Sequence, residues 1–100
     1  MTTYVLNNAA FFLYTELRKK VGELLDPLIV GKVIQEFREN KGVSQEVLSG
    51  LAGIGRTHLS AIERGVRRPT LETFFRIAEA LQIKPSSLLA EIERIIGITE

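Results

Sequence analysis

Apolar residues recur along this chain at helical spacing, and no stretch alternates with period two convincingly enough to predict a strand. In the first segment Ala10, Tyr14, Leu17, Val21, Leu24 and Leu28 fall in steps of four and three, a heptad-like stripe. Phe11, Phe12, Leu13 and Leu25 widen it beyond a simple seam. Asn7 or Asn8 can cap this helix, which runs to about Leu25. Asp26-Pro27 breaks it, because the residue before a proline disfavours the helical region. A second helix, about Leu28 to Asn40, carries Val30, Val33, Ile34 and Phe37 on one face and ends at Lys41-Gly42. Ser44 caps a third helix from Gln45 to about Leu51, Gly53-Ile54-Gly55 makes a turn, and a fourth helix spans Arg56 to Arg64. After the basic loop Val66–Pro69, Thr70 caps a fifth helix, Leu71–Leu81, with Phe74, Ile77, Ala78 and Leu81 facing inward. Pro85 opens a sixth to about Ile96, with Gly97 beyond. The pattern predicts an all-α fold: residues 28–100 as the main domain, preceded by an N-terminal helical extension over 1–27.

The segment Ser44 to Gly65 stands out within this pattern. Two short amphipathic helices joined by a glycine turn, the second opening on Arg56-Thr57-His58, suit the placing of side chains in a DNA major groove. Small residues, Ala52 and Gly53, allow the helices to cross closely, and Ile54 in the turn pins them. Leu59 and Ile62 anchor the second helix and leave Arg56, Thr57, Ser60 and Ala61 for its outer face.

Charge sharpens the picture. The net charge is only +1, yet residues 56–68 hold four arginines, Arg56, Arg64, Arg67 and Arg68, against the single Glu63. The segments on the N-terminal side are balanced and the C-terminal segment is acidic, so positive charge concentrates around the fourth helix as phosphate contacts require. The chain of 100 residues, 45% apolar, suffices for one small domain, to which dimerisation would add welcome burial. Without cysteine there is neither a disulfide framework nor a thiolate metal site. With no signal peptide and no apolar run of membrane-spanning length, a cytoplasmic protein is expected.

Gln45, Leu48, Ala52-Gly53-Ile54, Leu59-Ser60, Ile62-Glu63-Arg64-Gly65, Pro69-Thr70-Leu71, Ile77-Ala78, Ala80-Leu81 and Leu88-Leu89 occur together and in order. Over about Ile29 to Leu89 the chain resembles the phage-repressor-like (Cro/repressor, or XRE) family of helix-turn-helix DNA-binding domains. The resemblance implies a five-helix repressor-type domain that binds double-stranded operator DNA as a dimer. It assigns the recognition helix to Arg56–Arg64, with Arg56, Thr57, Ser60 and Ala61 towards base edges. It implies phosphate contacts from Gln45, Arg67, Arg68 and the Thr70 helix start, to which we add Arg64 and His58. It also implies that Glu63 pairs with Arg38, joining the second helix of the chain to the recognition helix, although Glu63 alone could be read as a catalytic acid. One departure is Gly55, where the family usually carries serine or threonine as a cap; glycine costs only about a few tenths of a kcal/mol there.

Other readings of these residues are blander. His58 has no histidine or cysteine partner for a metal, so no metal site is expected. The glycines between Gly50 and Gly55 follow no strand and lack the order of a phosphate-binding loop. Arg56 could be a surface charge and Arg67 and Arg68 a solvated loop. No arrangement of polar residues looks like an active site, so no enzyme and no cofactor are expected.

The ends of the chain offer a means of dimerising. The sixth helix carries Leu88, Leu89, Ile92, Ile95 and Ile96, and in the family this helix commonly lies at the dimer interface. The N-terminal helix, with Phe11, Phe12 and Leu17, either joins that interface or folds back as an intrachain cover. The leading function is a sequence-specific transcriptional regulator, a repressor acting as a homodimer on a palindromic operator. The alternative is an antitoxin-type autoregulator whose apolar terminal helices bind a toxin or other protein. With little chain beyond Ile96, no small-molecule effector is expected.

Overall fold

The structure, a computed structural model, describes residues 8–97, with the backbone alone for residues 17–24. Six helices account for it: α1 (Asn8–Leu24), α2 (Pro27–Asn40), α3 (Gln45–Ala52), α4 (Arg56–Glu63), α5 (Leu71–Ala80) and α6 (Pro85–Ile96). No strand occurs among the described residues. The helix ends differ from the sequence expectation by a residue at most. The proposed cap Asn7, the residue Ile98 and the side chain of Leu17 lie outside the described residues.

Local chemistry explains where the helices start. Asp26 has an extended backbone and its carboxylate accepts the Leu28 N–H at 2.9 Å, while Pro27 occupies the first turn without wasting a donor. Ser44 and Thr70 cap α3 and α5 in the same manner, accepting the N–H of Val47 and Thr73. Gly55 begins α4 with no side-chain cap. Between α3 and α4 the chain turns at Gly53, whose φ of 72° lies in the left-handed region that glycine enters without penalty. The Ile54 N–H then returns to the Ser49 carbonyl at 3.0 Å, closing the turn.

The core draws on α2 through α6. Val33, Ile34, Leu48, Leu59, Ile62, Ile77 and Leu88 are fully buried, with Ala52, Phe74, Ala78, Leu81 and Ile92 completing the cluster. Each such large side chain contributes roughly 1.5–3 kcal/mol of apolar transfer. Helix α2 packs against α4 and α6, α3 against α4 and α5, and α5 against α6. Two residues expected at a dimer interface, Leu88 and Ile92, are therefore part of this intrachain core, at 0% and 2% exposure. Both lie on the side of α6 that closes the core; the face left to solvent carries Leu89 and Ile95 instead, with Ile96 half-buried.

Helix α1 stands apart. Phe11, Phe12 and Leu13 remain 59%, 62% and 67% exposed. Since Leu89 and Ile95 are exposed too, α1 does not cover α6 within the single chain. The radius of gyration, 16.4 Å, exceeds the value of about 13 Å for a compact chain of this length.

Candidate nucleic-acid interface

The short helix α4 is divided into an anchored side and a free side. Leu59 and Ile62 are fully buried against the core, while Arg56, Thr57 and Arg64 are exposed and Ser60 and His58 are half-buried. Along the free side the Arg64 Nε donates to the Ser60 hydroxyl at 3.3 Å, laying that side chain along the helix. Arg56 and Arg67 have no ion-pair partner among the described residues, so their charge is available to an anion.

Ala61 does not belong to that free side. It is buried, because the loop after α4 folds back over it: the Val66 and Arg67 N–H groups both donate to the Ala61 carbonyl, at 2.9 and 3.2 Å. The sequence expectation that Ala61 offers its methyl to a base is thus corrected.

The anchored side is held by a buried ionic cluster. Arg38 grips Glu63 with both arms of its fork, Nε to Oε2 at 2.6 Å and Nη2 to Oε1 at 3.0 Å. Its third nitrogen, Nη1, donates to the Val43 carbonyl at 2.9 Å, so one side chain ties together α2, the α2–α3 turn and α4. The two side chains are 10% and 2% exposed. Hydrogen bonding to Glu63 raises the Arg38 pKa above its ordinary value, against the opposing effect of burial, and keeps the guanidinium charged. No buried side-chain nitrogen or oxygen among the described residues lacks a hydrogen bond, so Glu63 is a structural carboxylate in a satisfied network.

Gln45 joins the same cluster. Its Nε2 donates to Glu63 Oε1 at 2.8 Å, so one amide hydrogen expected for a phosphate is committed to the fold. The Thr70 hydroxyl is likewise engaged internally, accepting from the Thr73 N–H and donating to the Thr73 hydroxyl at 3.0 Å. Arg68 points back to the N-terminal side, its Nη1 donating to the Leu25 carbonyl at 2.7 Å. The sequence expectation gives each of these groups to phosphate. Each first has a partner within the chain, because sequence does not show which tertiary neighbours lie within reach. Between the starts of α3 and α4 a surface cleft of about 370 Å³ is lined by Arg38, Ser44, Gln45, Glu46 and Arg56.

A residue missed by the sequence reading sets the pose of α4. Gly31, in the middle of α2, lies so close to the end of α4 that a Cβ placed on it would stand 2.1 Å from the Ile62 carbonyl oxygen. The available signal was a glycine inside a helical pattern, which costs about 1 kcal/mol of propensity and so implies a compensating reason.

Among the described residues no group of three or more His, Asp or Glu side chains is placed to hold a metal ion, and no helix is long and apolar enough to cross a membrane.

The family profile described as helix-turn-helix matches residues 34–88. The chain therefore belongs to that family, the XRE-type helix-turn-helix group of DNA-binding transcription regulators. Control protein C.BamHI of Bacillus amyloliquefaciens is 36% identical over 63 residues, which is 62% of this chain and 78% of that protein. The restriction-modification controller protein C.AhdI from Aeromonas hydrophila superposes with a TM-score of 0.62 at 38% identity, covering 63% of this chain and 96% of the controller. The controller C.Esp1396I, solved as a tetramer in complex with its natural 35 base-pair operator, gives a TM-score of 0.67 at 28% identity, over 72% of this chain and 95% of that one.

Proposed function

We propose that this protein represses transcription by binding a palindromic operator as a homodimer, with α4 as its recognition helix. The observation that carries this reading is the two-sided character of α4. Its inner face is locked by Leu59, Ile62 and the Arg38–Glu63 pair, while Arg56, Thr57, Ser60 and Arg64 lie along the side that remains. On this reading Arg56 and Thr57 meet base edges, Ser60 sits further along, and Arg64, Arg67 and His58 face phosphate. Phosphate contacts fix the register and base contacts carry the sequence information. Arg68, Gln45 and Thr70 serve the backbone only with whatever capacity their intrachain bonds leave. The folding unit is residues 28–96, to which α1 is an appendage.

One module reads a few base pairs and binds weakly; two modules about 34 Å apart read both halves of a palindrome. That C.Esp1396I is found as a tetramer on its operator supports assembly of several copies on DNA. The likeness of this chain to two restriction-modification controllers favours a controller of that kind over a phage repressor. Repression follows from occupancy alone, since a dimer seated on an operator excludes other proteins from the same groove.

Binding-site selection with the purified protein, repeated with Arg56→Ala, tests the proposal. Wild type should enrich an inverted repeat. The variant should lose about 5- to 150-fold in affinity, equivalent to 1–3 kcal/mol, and relax at one base pair in each half. Identical sites bound with identical affinity would remove Arg56 from the readout, and enrichment of no sequence would overturn the function.

A further inference from the structure

Two apolar surfaces of this chain face solvent without meeting each other. One is the N-terminal half of α1, where Phe11, Phe12 and Leu13 are each close to two-thirds exposed. Consecutive helical residues diverge by about 100°, so these three side chains point around roughly 200° of the helix. A helix apolar over so much of its circumference is stable in water only when enclosed from more than one side. The other surface is a groove of about 310 Å³ between α2, α5 and α6, lined chiefly by Leu25, Val30, Leu71, Phe74, Leu89 and Ile92. A cavity of about 150 Å³ accepts a benzene ring, so this groove has room for at least one phenylalanine side chain.

The chain cannot fill its own groove with its own phenylalanines. Leu25 lines the groove and follows directly on α1. Phe11 and Leu13 therefore lie about 18–21 Å away along a continuous helix rising 1.5 Å per residue. The exit of that helix is held by the Arg68 bond to the Leu25 carbonyl and by the Asp26 cap on α2. The arm is directed outward, and its apolar end is out of reach of the groove at its base.

We propose that the groove receives the N-terminal half of α1 from a second copy of this chain, which takes the first copy's arm in return. The proposal rests on the homodimer reading above and specifies its contact. A reciprocal exchange is closed under two-fold symmetry, so it stops at a dimer. It encloses the arm as its composition demands, with one side against the partner's groove and another against the partner's arm. The area is adequate: a buried aromatic side chain covers roughly 150–250 Å². Three side chains more than half exposed on each arm, matched by the groove surfaces they cover, bring the total to about 1,200–1,600 Å², within the range of stable interfaces.

The chain has no cysteine, which makes contact mapping direct. Full-length Phe12→Cys and full-length Leu89→Cys, both at exposed positions, are mixed in equal amounts and treated with a short bismaleimide. A cross-linked heterodimer in the mixture, well above the yield from either variant alone, is expected. In parallel, sedimentation equilibrium of a Phe11→Glu/Phe12→Glu variant, checked for helix content, should show dimer dissociation shifted at least 100-fold relative to wild type. If the wild type is dimeric, yet the mixture gives no heterodimer and the glutamates leave association unchanged, arm exchange is overturned and the homodimer stands on another face. A wild type that stays monomeric throughout overturns both.

Discussion

Arg38 and Glu63 illustrate how a charge pair can be structural and still govern function. With one partner truncated, the other is left charged in a site almost closed to water. Arg38→Met should therefore cost about 3–5 kcal/mol in urea denaturation, while Arg38→Met combined with Glu63→Leu should recover most of that loss. The raised pKa of Arg38 means that its contribution is complete below the ordinary arginine value and fades only as pH rises past it, beyond any working range. How much of this was legible from sequence differs by residue. The partnership of Arg38 with Glu63 came from the family resemblance, since nothing local links residues 25 positions apart. That Gln45 would complete the cluster, and that a returning loop would bury Ala61, depends on neighbours brought close only by the tertiary fold.

At the level of elements, the helices and their starts were readable because capping is local chemistry: Asp26, Ser44, Thr70 and Pro85 each act within a turn of themselves. The approach of α2 to α4 was not readable, because Gly31 finds its reason across the core. Gly31→Ala should gain about 1 kcal/mol of helix propensity but lose about 3 kcal/mol to the clash with the Ile62 and Glu63 carbonyls. A net loss of about 2 kcal/mol corresponds to a thermal midpoint roughly 10 °C lower. Gly50→Ala is the matching control. It lies in α3, where an added methyl would meet no atom within 4 Å, and should stabilise by about 0.5–1 kcal/mol. Both shifts can be read by calorimetry.

For the molecule as a whole, the weak net charge conceals a directional field. The arginines cluster around α4, so binding to an operator should weaken steeply with salt. Arg67→Ala should lower affinity about equally for all sequences and reduce the slope of log K against log salt by about 1, measured by fluorescence anisotropy across a salt series. The apolar surplus of the two ends was visible in the patterning but its division was not: Leu88 and Ile92 close the core, and only Leu89, Ile95 and the α1 arm are left for association. The two faces of α4 carry one more consequence. Everything that aims this helix sits at Gly31, Arg38, Leu59, Ile62 and Glu63, and none of these lies on the face that is free to read DNA. Positions 56, 57 and 60 can therefore drift to new side chains while the scaffold stays as it is. A lineage carrying this fold can exchange one operator for another by a few substitutions, without passing through an unfolded intermediate.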